Sequence, residues 1–379
     1  MLIKHKLLIL LTLLMFLPNN CIVEYTPLTH EEAELLNVEG LITDQPGVNI
    51  IKLSKSISIW NKQVAKPLKQ CIVTISDDLG QIYNLIETNN GNYITNPTTF
   101  QGVAGRKYTL HIKTTSDPVN YSYSSFPVEM KPVPPIDNIY YEKKTYHDQL
   151  PAVEGCQVYL DTQDPSNNCK FFRWEYSETW EIRLPYNVKN RVCWVSNNSN
   201  DIFIKNTSVL GEARIIRYPV ISISNPIDKL SIKYSILVSQ FSLNEDEYLY
   251  WERLKNSLEQ VGGLYDQVPA SIPKNIFCVE DPNRNVSGYF SVSAKTSRRL
   301  FIKDSFAGYD HQYENCITDT ITGNVIIDTL KGINSFIWMI VDSSDKVPPR
   351  RYLTRKRDCG DCMTRGTNIK PDFWSDDKK

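Results

Sequence analysis

Chemistry in this chain would have to come from its thiols, its few imidazoles or its paired carboxylates. The sharpest motif is Cys359-Gly360-Asp361-Cys362, within a chain of nine cysteines. Two thiols at that spacing can supply half of a zinc site, a redox pair or members of structural disulfides. Zinc needs a second matched pair, and the sequence has none at that spacing. A thioredoxin-type pair needs a strand-to-helix setting, whereas Gly, Arg and Thr surround this one and read as a loop. Structural disulfides are the expected use, with Cys193, Cys278, Cys316, Cys359 and Cys362 as the candidates and Cys278 with Cys316 a plausible bridge. Cys71 alternates with Val73 and Ile75 and reads as a small core hydrophobe.

The five histidines are scattered. His5 and His30 precede the folded part, which leaves His111, His147 and His311 for any triad or metal site. The chain carries no His-Glu-x-x-His helix, no Gly-x-Ser-x-Gly elbow and no phosphate-cradling glycine loop ahead of a helix. Asp77-Asp78 falls in a hairpin turn, where Asp stabilises the bend. Glu245, Asp246 and Glu247 open a helix, where negative charge complements the dipole. The expectation is a protein without catalytic residues, metal or cofactor. Triads do assemble from distant residues, so an unrecognised hydrolase stays as an alternative.

Charge narrows the partners. Lys+Arg 42 against Asp+Glu 43 leaves no electrostatic reason to expect nucleic acid. The basic run Arg350, Arg351, Arg355, Lys356, Arg357 reads as a solvated loop. The 21 Tyr, 7 Trp and 13 Phe favour strands and recognition surfaces.

The first residues read as a signal peptide over 1–20. Lys4 and Lys6 precede an apolar run over 7–17 that is too short for a spanning anchor, which needs about 20 residues. Cys21 follows, as in lipoprotein processing, where two acyl chains give stable anchoring. Asn19 and Asn20 stand where small residues usually precede such a cysteine. Residues 21–35 then read as a lipid-anchored tether.

From Leu36 the pattern turns to short alternating strands. Cys71 to Ile75 alternates, Asp77-Asp78-Leu79-Gly80 turns, and Asn89-Asn90-Gly91 turns again. Tyr108, Leu110 and Ile112 share one face, which leaves His111 on the other. This spacing predicts a β-sandwich over 36–131. Pro127, Pro132, Pro134 and Pro135 then predict a linker, with the domain boundary near Lys131. Beyond it, strands are expected at 136–141, 156–160, 171–176, 179–184, 202–204 and 230–243, the last buried on both sides for part of its length. One helix is expected near 244–261. Asn244 and Glu247 form a capping-box-like pair, Tyr248, Trp251, Leu254, Leu258 and Val261 form one stripe, and Gly262-Gly263 ends it. Tyr248 and Trp251 are also the candidate ligand or partner contacts. The fold class is therefore all-β, two tandem immunoglobulin- or fibronectin-like sandwiches, the second spanning 132–379 with one inserted helix.

Several segments carry a resemblance: VEGLITDQPG at 38–47, PVPPIDNIYY at 132–141, RWEYSETWEI at 173–182, and YSILVSQFSLNEDEYLYWERLK at 234–255. GGLYDQVPASIPKNIFC at 262–278, VSGYFSVS at 286–293 and CGDCMTRGTNIKPDFW at 359–374 complete it. Together they resemble the domain-of-unknown-function 4249 family of Bacteroidetes lipoproteins. The chain shows Gly366-Thr367 where that family tends to carry paired glycines. The resemblance implies an outer-membrane lipoprotein associated with a TonB-dependent receptor barrel, and it brings no catalytic residues. The expected function is a non-catalytic binding accessory in uptake or surface assembly. A structural or adhesive surface module without small ligand is the other reading.

Overall fold

The structure is a computed structural model. It describes residues 35–55, 65–115, 120–147, 152–184, 188–224, 228–260, 272–307, 318–322, 338–344 and 351–375. The expected signal peptide, Cys21 and most of the tether lie outside these residues, as do Gly262-Gly263, His311 and Cys316.

The molecule is built mostly of strands, arranged as two β-sandwiches and one further small sheet. In the first sandwich, one sheet runs in the order Val286–Val292, Leu36–Ile42, Ile50–Lys55, Asn92–Ile94, Ile86–Glu87, with Lys66–Pro67 beside Ile50–Lys55. The facing sheet runs Ile276–Cys278, Ser122–Ser125, Lys107–Lys113, Ile72–Asp77, Ile82–Asn84, with Val128–Glu129 beside Lys107–Lys113. Period-two alternation puts Val38, Leu53, Ile75, Leu110, Ile112 and Phe290 into the core between them. Cys71 packs partly buried against the same core.

The domain boundary read near Lys131 is corrected here. The first sandwich is not closed by residues 36–131 alone. Ile276–Cys278 forms one edge of one sheet, and Val286–Val292 pairs in parallel with Leu36–Ile42 on the other. Parallel pairing needs a long crossover, and this one passes through the whole of the second sandwich's central strands. Gly288 permits the pairing, because a Cβ there would meet the Val38 carbonyl oxygen at 2.0 Å and the backbone has φ +88°. Asn275 seals the junction: its Nδ2 donates to the Phe290 carbonyl at 2.8 Å, and the Phe290 N–H donates to its Oδ1 at 3.0 Å.

The second sandwich faces a three-stranded sheet, Ile136–Tyr146, Val153–Asp164, Ala213–Ile223, against a larger one. The larger runs Val192–Asn198, Phe171–Arg183, Tyr234–Leu243, Lys295–Ile302, with Phe203–Asn206 beside Phe171–Arg183. The two strands expected at 171–176 and 179–184 are one continuous strand, since Ser177 and Glu178 keep the pairing with Leu237 and Ile236. Tyr234–Leu243 is central and almost entirely buried, with Ser235, Ser239, Gln240 and Ser242 enclosed along with its apolar residues. The basic run read as a loop includes the strand Arg351–Lys356, the middle of the small third sheet between Thr318–Thr322 and Trp338–Ser344.

The proline segment read as a linker is pinned rather than loose. Ser242 Oγ donates to the Lys131 carbonyl, Gln240 Nε2 donates to the Pro134 carbonyl at 2.8 Å, and Thr162 Oγ1 donates to the Pro135 carbonyl at 3.0 Å. Gln240 also accepts from the Trp174 indole at 2.8 Å. Prolines remove backbone donors but leave carbonyls, and buried side chains from both sheets take those carbonyls up.

Candidate functional site

The site lies where the helix Glu245–Gln260 meets both sandwiches. Alternation along Phe171–Arg183 sends Phe172 and Trp174 into the second core and turns Arg173 to the opposite face. The register sets Arg173 opposite Phe241 on the neighbouring strand. The helix covers this face. Phe241, Leu243 and Tyr248 form a small core of their own, with Leu41, Phe171 and Trp251 against it.

Only the N-terminal half of the helix is well seated, and two expectations change accordingly. Leu258 is 63% exposed, so the apolar stripe ends early. The capping-box pair does not form. Asn244 Nδ2 donates instead to the Glu129 carbonyl at 2.8 Å, and Glu247 is fully buried. Desolvation raises the Glu247 carboxyl above its ordinary range, opposed by Ser291, Arg173 and Trp251, which favour the anion.

Arg173 is the centre of the arrangement. Its guanidinium sits 4.6 Å from the Phe241 ring centroid and 4.5 Å from that of Trp251. It pairs with Glu175 on the same strand face, whose side chain is half exposed. Arg173 itself is 6% exposed, and its Nε has no hydrogen-bond partner. Beside it opens a crevice of about 230 Å³, lined by Arg173, Glu175, Trp251, Tyr250, Tyr289 and Glu39 among others. Tyr250 and Tyr289 lie 4.8 Å apart and bring the helix onto the first sandwich. The crevice thus exists only because a helix of the second region rests on strands of the first.

Of the two aromatics singled out from sequence, Trp251 lines the crevice. Tyr248 is buried away from it, 5.3 Å from Phe171, with its hydroxyl donating to Glu252 at 3.0 Å. Arg173, Tyr250 and Tyr289 were not singled out. The available signal was Arg173 itself, a charge inside the run Phe-Phe-Arg-Trp. Tyr250 stands off the helix stripe, and nothing local marks it.

The cysteines separate into two kinds. Cys193 and Cys362 form a disulfide that ties the C-terminal segment to the strand Val192–Asn198. Reciprocal backbone bonds between Trp194 and Thr367, at 2.8 and 3.0 Å, extend that attachment. Gly366 is needed there, since a Cβ would meet the Trp194 carbonyl oxygen at 2.5 Å. Cys359 is disulfide-bonded as well, so the Cys-x-x-Cys thiols do not pair with each other. Cys278 is a correction: it is a free buried thiol that donates to Glu280 at 3.6 Å, not half of a bridge to Cys316. Its strand faces the apolar interior of the first sandwich, which uses it as a small hydrophobe. Burial pushes the Cys156 and Cys169 thiols up to about 12, so neither offers a thiolate near neutral pH.

His111 lies on the sheet face away from the core, as alternation implies, but it is half-buried rather than open to solvent. Its ring nitrogens meet the Ser76 hydroxyl at 2.8 Å and the Ser124 hydroxyl at 3.3 Å. Desolvation lowers its pKa below the ordinary value. His147 is exposed at a strand end. Among the described residues, no group of three His, Cys, Asp or Glu side chains is placed to hold a metal ion.

A family model described as "Domain of unknown function (DUF4249)" matches residues 22–299. The chain belongs to that family. The matched region takes in the first sandwich, all but the last residues of the second, the helix and every residue named around the crevice. The DUF4249 match ends inside the strand Lys295–Ile302, so the closing segment CGDCMTRGTNIKPDFW lies beyond it. No curated protein matches the chain.

Proposed function

We propose that this protein is a non-catalytic binding accessory of the outer membrane, anchored by a lipid on Cys21 and acting with a TonB-dependent receptor barrel in uptake or surface assembly. The crevice carries the binding part of this reading. It lines an accessible cleft with Arg173, two carboxylates and three aromatic side chains. Such a combination gives large contact area at low entropic cost together with orientation by a few polar groups. The anchor is supported by the apolar run over 7–17 followed by Cys21. The barrel partner is supported by family analogy.

Metabolic labelling with a palmitate analogue tests the anchor. Label is expected on the wild-type chain and absent from Cys21→Ala. Purification in mild detergent tests the partner. A stable one-to-one complex with a receptor barrel is expected, whereas homo-oligomers alone favour an adhesive module.

One contact favours a second reading, hydrolysis: the Ser76 hydroxyl and His111 Nε2 at 2.8 Å resemble a nucleophile and base. The other ring nitrogen meets a serine hydroxyl and not a carboxylate, which gives the imidazolium no anionic partner. A fluorophosphonate probe decides between them. No labelling is expected, and labelling abolished by Ser76→Ala would establish the hydrolase.

A further inference from the structure

We propose that the crevice between the helix and the first sandwich takes a neutral, polyhydroxylated ring, a single sugar unit of a larger glycan or glycoconjugate. The inference deepens the binding reading above and rests on it.

Four observations lead to that ligand class. First, a cleft of about 230 Å³ has room for one pyranose-sized ring and little more. Second, its charge is already balanced. Glu175 pairs with Arg173, and Glu39 pairs with Lys52 at 3.2 Å. A carboxylate ligand would face Glu175 and Glu39, while an ammonium ligand would face Arg173. A neutral ligand meets neither repulsion. Third, the lining offers donor and acceptor groups side by side, the Arg173 guanidinium with the Glu175 and Glu39 carboxylates. An apolar ring would displace water from these groups without replacing its hydrogen bonds. Vicinal hydroxyls each donate and accept, and they match a guanidinium beside a carboxylate. Fourth, Tyr250, Trp251 and Tyr289 supply apolar surface for the C–H faces of such a ring.

The test uses the full processed chain and saturation-transfer NMR. The probes are the methyl glycosides of glucose, galactose, mannose and N-acetylglucosamine. Acetate, ethanolamine and cyclohexanol serve as anionic, cationic and hydroxyl-poor controls. At least one glycoside is expected to receive saturation. Its affinity should fall about tenfold or more in Tyr250→Ala and in Glu175→Gln, and stay unchanged in Leu79→Ala, an exposed residue in the hairpin turn after Ile72–Asp77. Glu175 is half exposed, so its replacement by Gln leaves a folded protein to measure even where Tyr250→Ala does not. The proposal is overturned if no glycoside binds, if a control binds as well as the best glycoside, or if Glu175→Gln binds as the wild type does. Retention of a receptor complex without glycoside binding overturns this inference and leaves the accessory reading standing. Loss of that complex with glycoside binding intact does the reverse.

Discussion

The two sandwiches are held together differently. The first is filled by aliphatic and aromatic side chains, with Val38, Ile51, Leu53, Ile75 and Leu110 all fully buried, but it borrows Ile276–Cys278 and Val286–Val292 from far along the chain. The second contributes all its own strands, yet buried polar groups thread its interior. Glu178 accepts from the Tyr234 hydroxyl at 2.8 Å and from Lys229 at 2.6 Å, and Gln240 links Trp174, Thr162 and the proline segment. A disulfide then clamps its edge. One region is incomplete alone. The other is complete in strands and adds to its apolar core directional contacts among charged and amide groups. The crevice sits where the borrowed strands return, so its geometry depends on both.

The largest effect is expected from cutting the first region at the proline segment. Residues 36–131 expressed alone should fail to give a dispersed amide NMR spectrum, because both sheets lose an edge strand. Fusing residues 272–294 back should restore it, and a folded 36–131 would abolish the contrast between the two regions.

In the second region, Glu178→Ala leaves the buried Tyr234 hydroxyl without its acceptor and the partly buried Lys229 without its counter-charge. It should cost about 3–5 kcal/mol, read from the denaturant midpoint. An equal loss from a polar-to-Ala change at half-exposed Ser124 in the first region would remove the distinction. Replacing Cys193 and Cys362 by Ser should cost about 2–4 kcal/mol. Hydrogen exchange should rise along Val192–Asn198 and 358–375 while Leu36–Ile42 stays protected.

Gly288→Ala is the sharper probe of the borrowed strand. Positive φ and the clash with the Val38 carbonyl should cost about 1–3 kcal/mol. Its exchange signature should be confined to Leu36–Ile42 and Val286–Val292. The smallest effect is that of His111. Its folded pKa is lowered by burial, so its contribution to stability is complete above pH 6.5. It is lost as pH falls below that, because the unfolded chain takes up the proton first. His111→Gln should flatten this part of the melting-temperature profile without touching the second region.

Much of the fold was legible locally. Tyr108, Leu110 and Ile112 on one face, turns at Asp77–Gly80 and Asn89–Gly91, and a helix beginning after Asn244 follow from side-chain period and backbone conformational cost. Trp251 could be picked out as an aromatic on an amphipathic helix. Arg173, Tyr250 and Tyr289 could not be brought to it, since their neighbours are set by strand register and helix seating. Burial of Glu247 was likewise invisible, as an acidic residue in a first helical turn reads equally well as a solvent-facing cap.

By itself the sequence determined the strand-rich class, the faces of individual strands, the position of the helix and the expectation of an export signal. Each of these depends on interactions within a few residues. The tertiary structure alone decided that Val286–Val292 completes the first sandwich, that the prolines are pinned, that Cys362 joins Cys193, and that the crevice exists. Those features pair residues up to about 250 positions apart, where closing the loop costs entropy that only the assembled core repays.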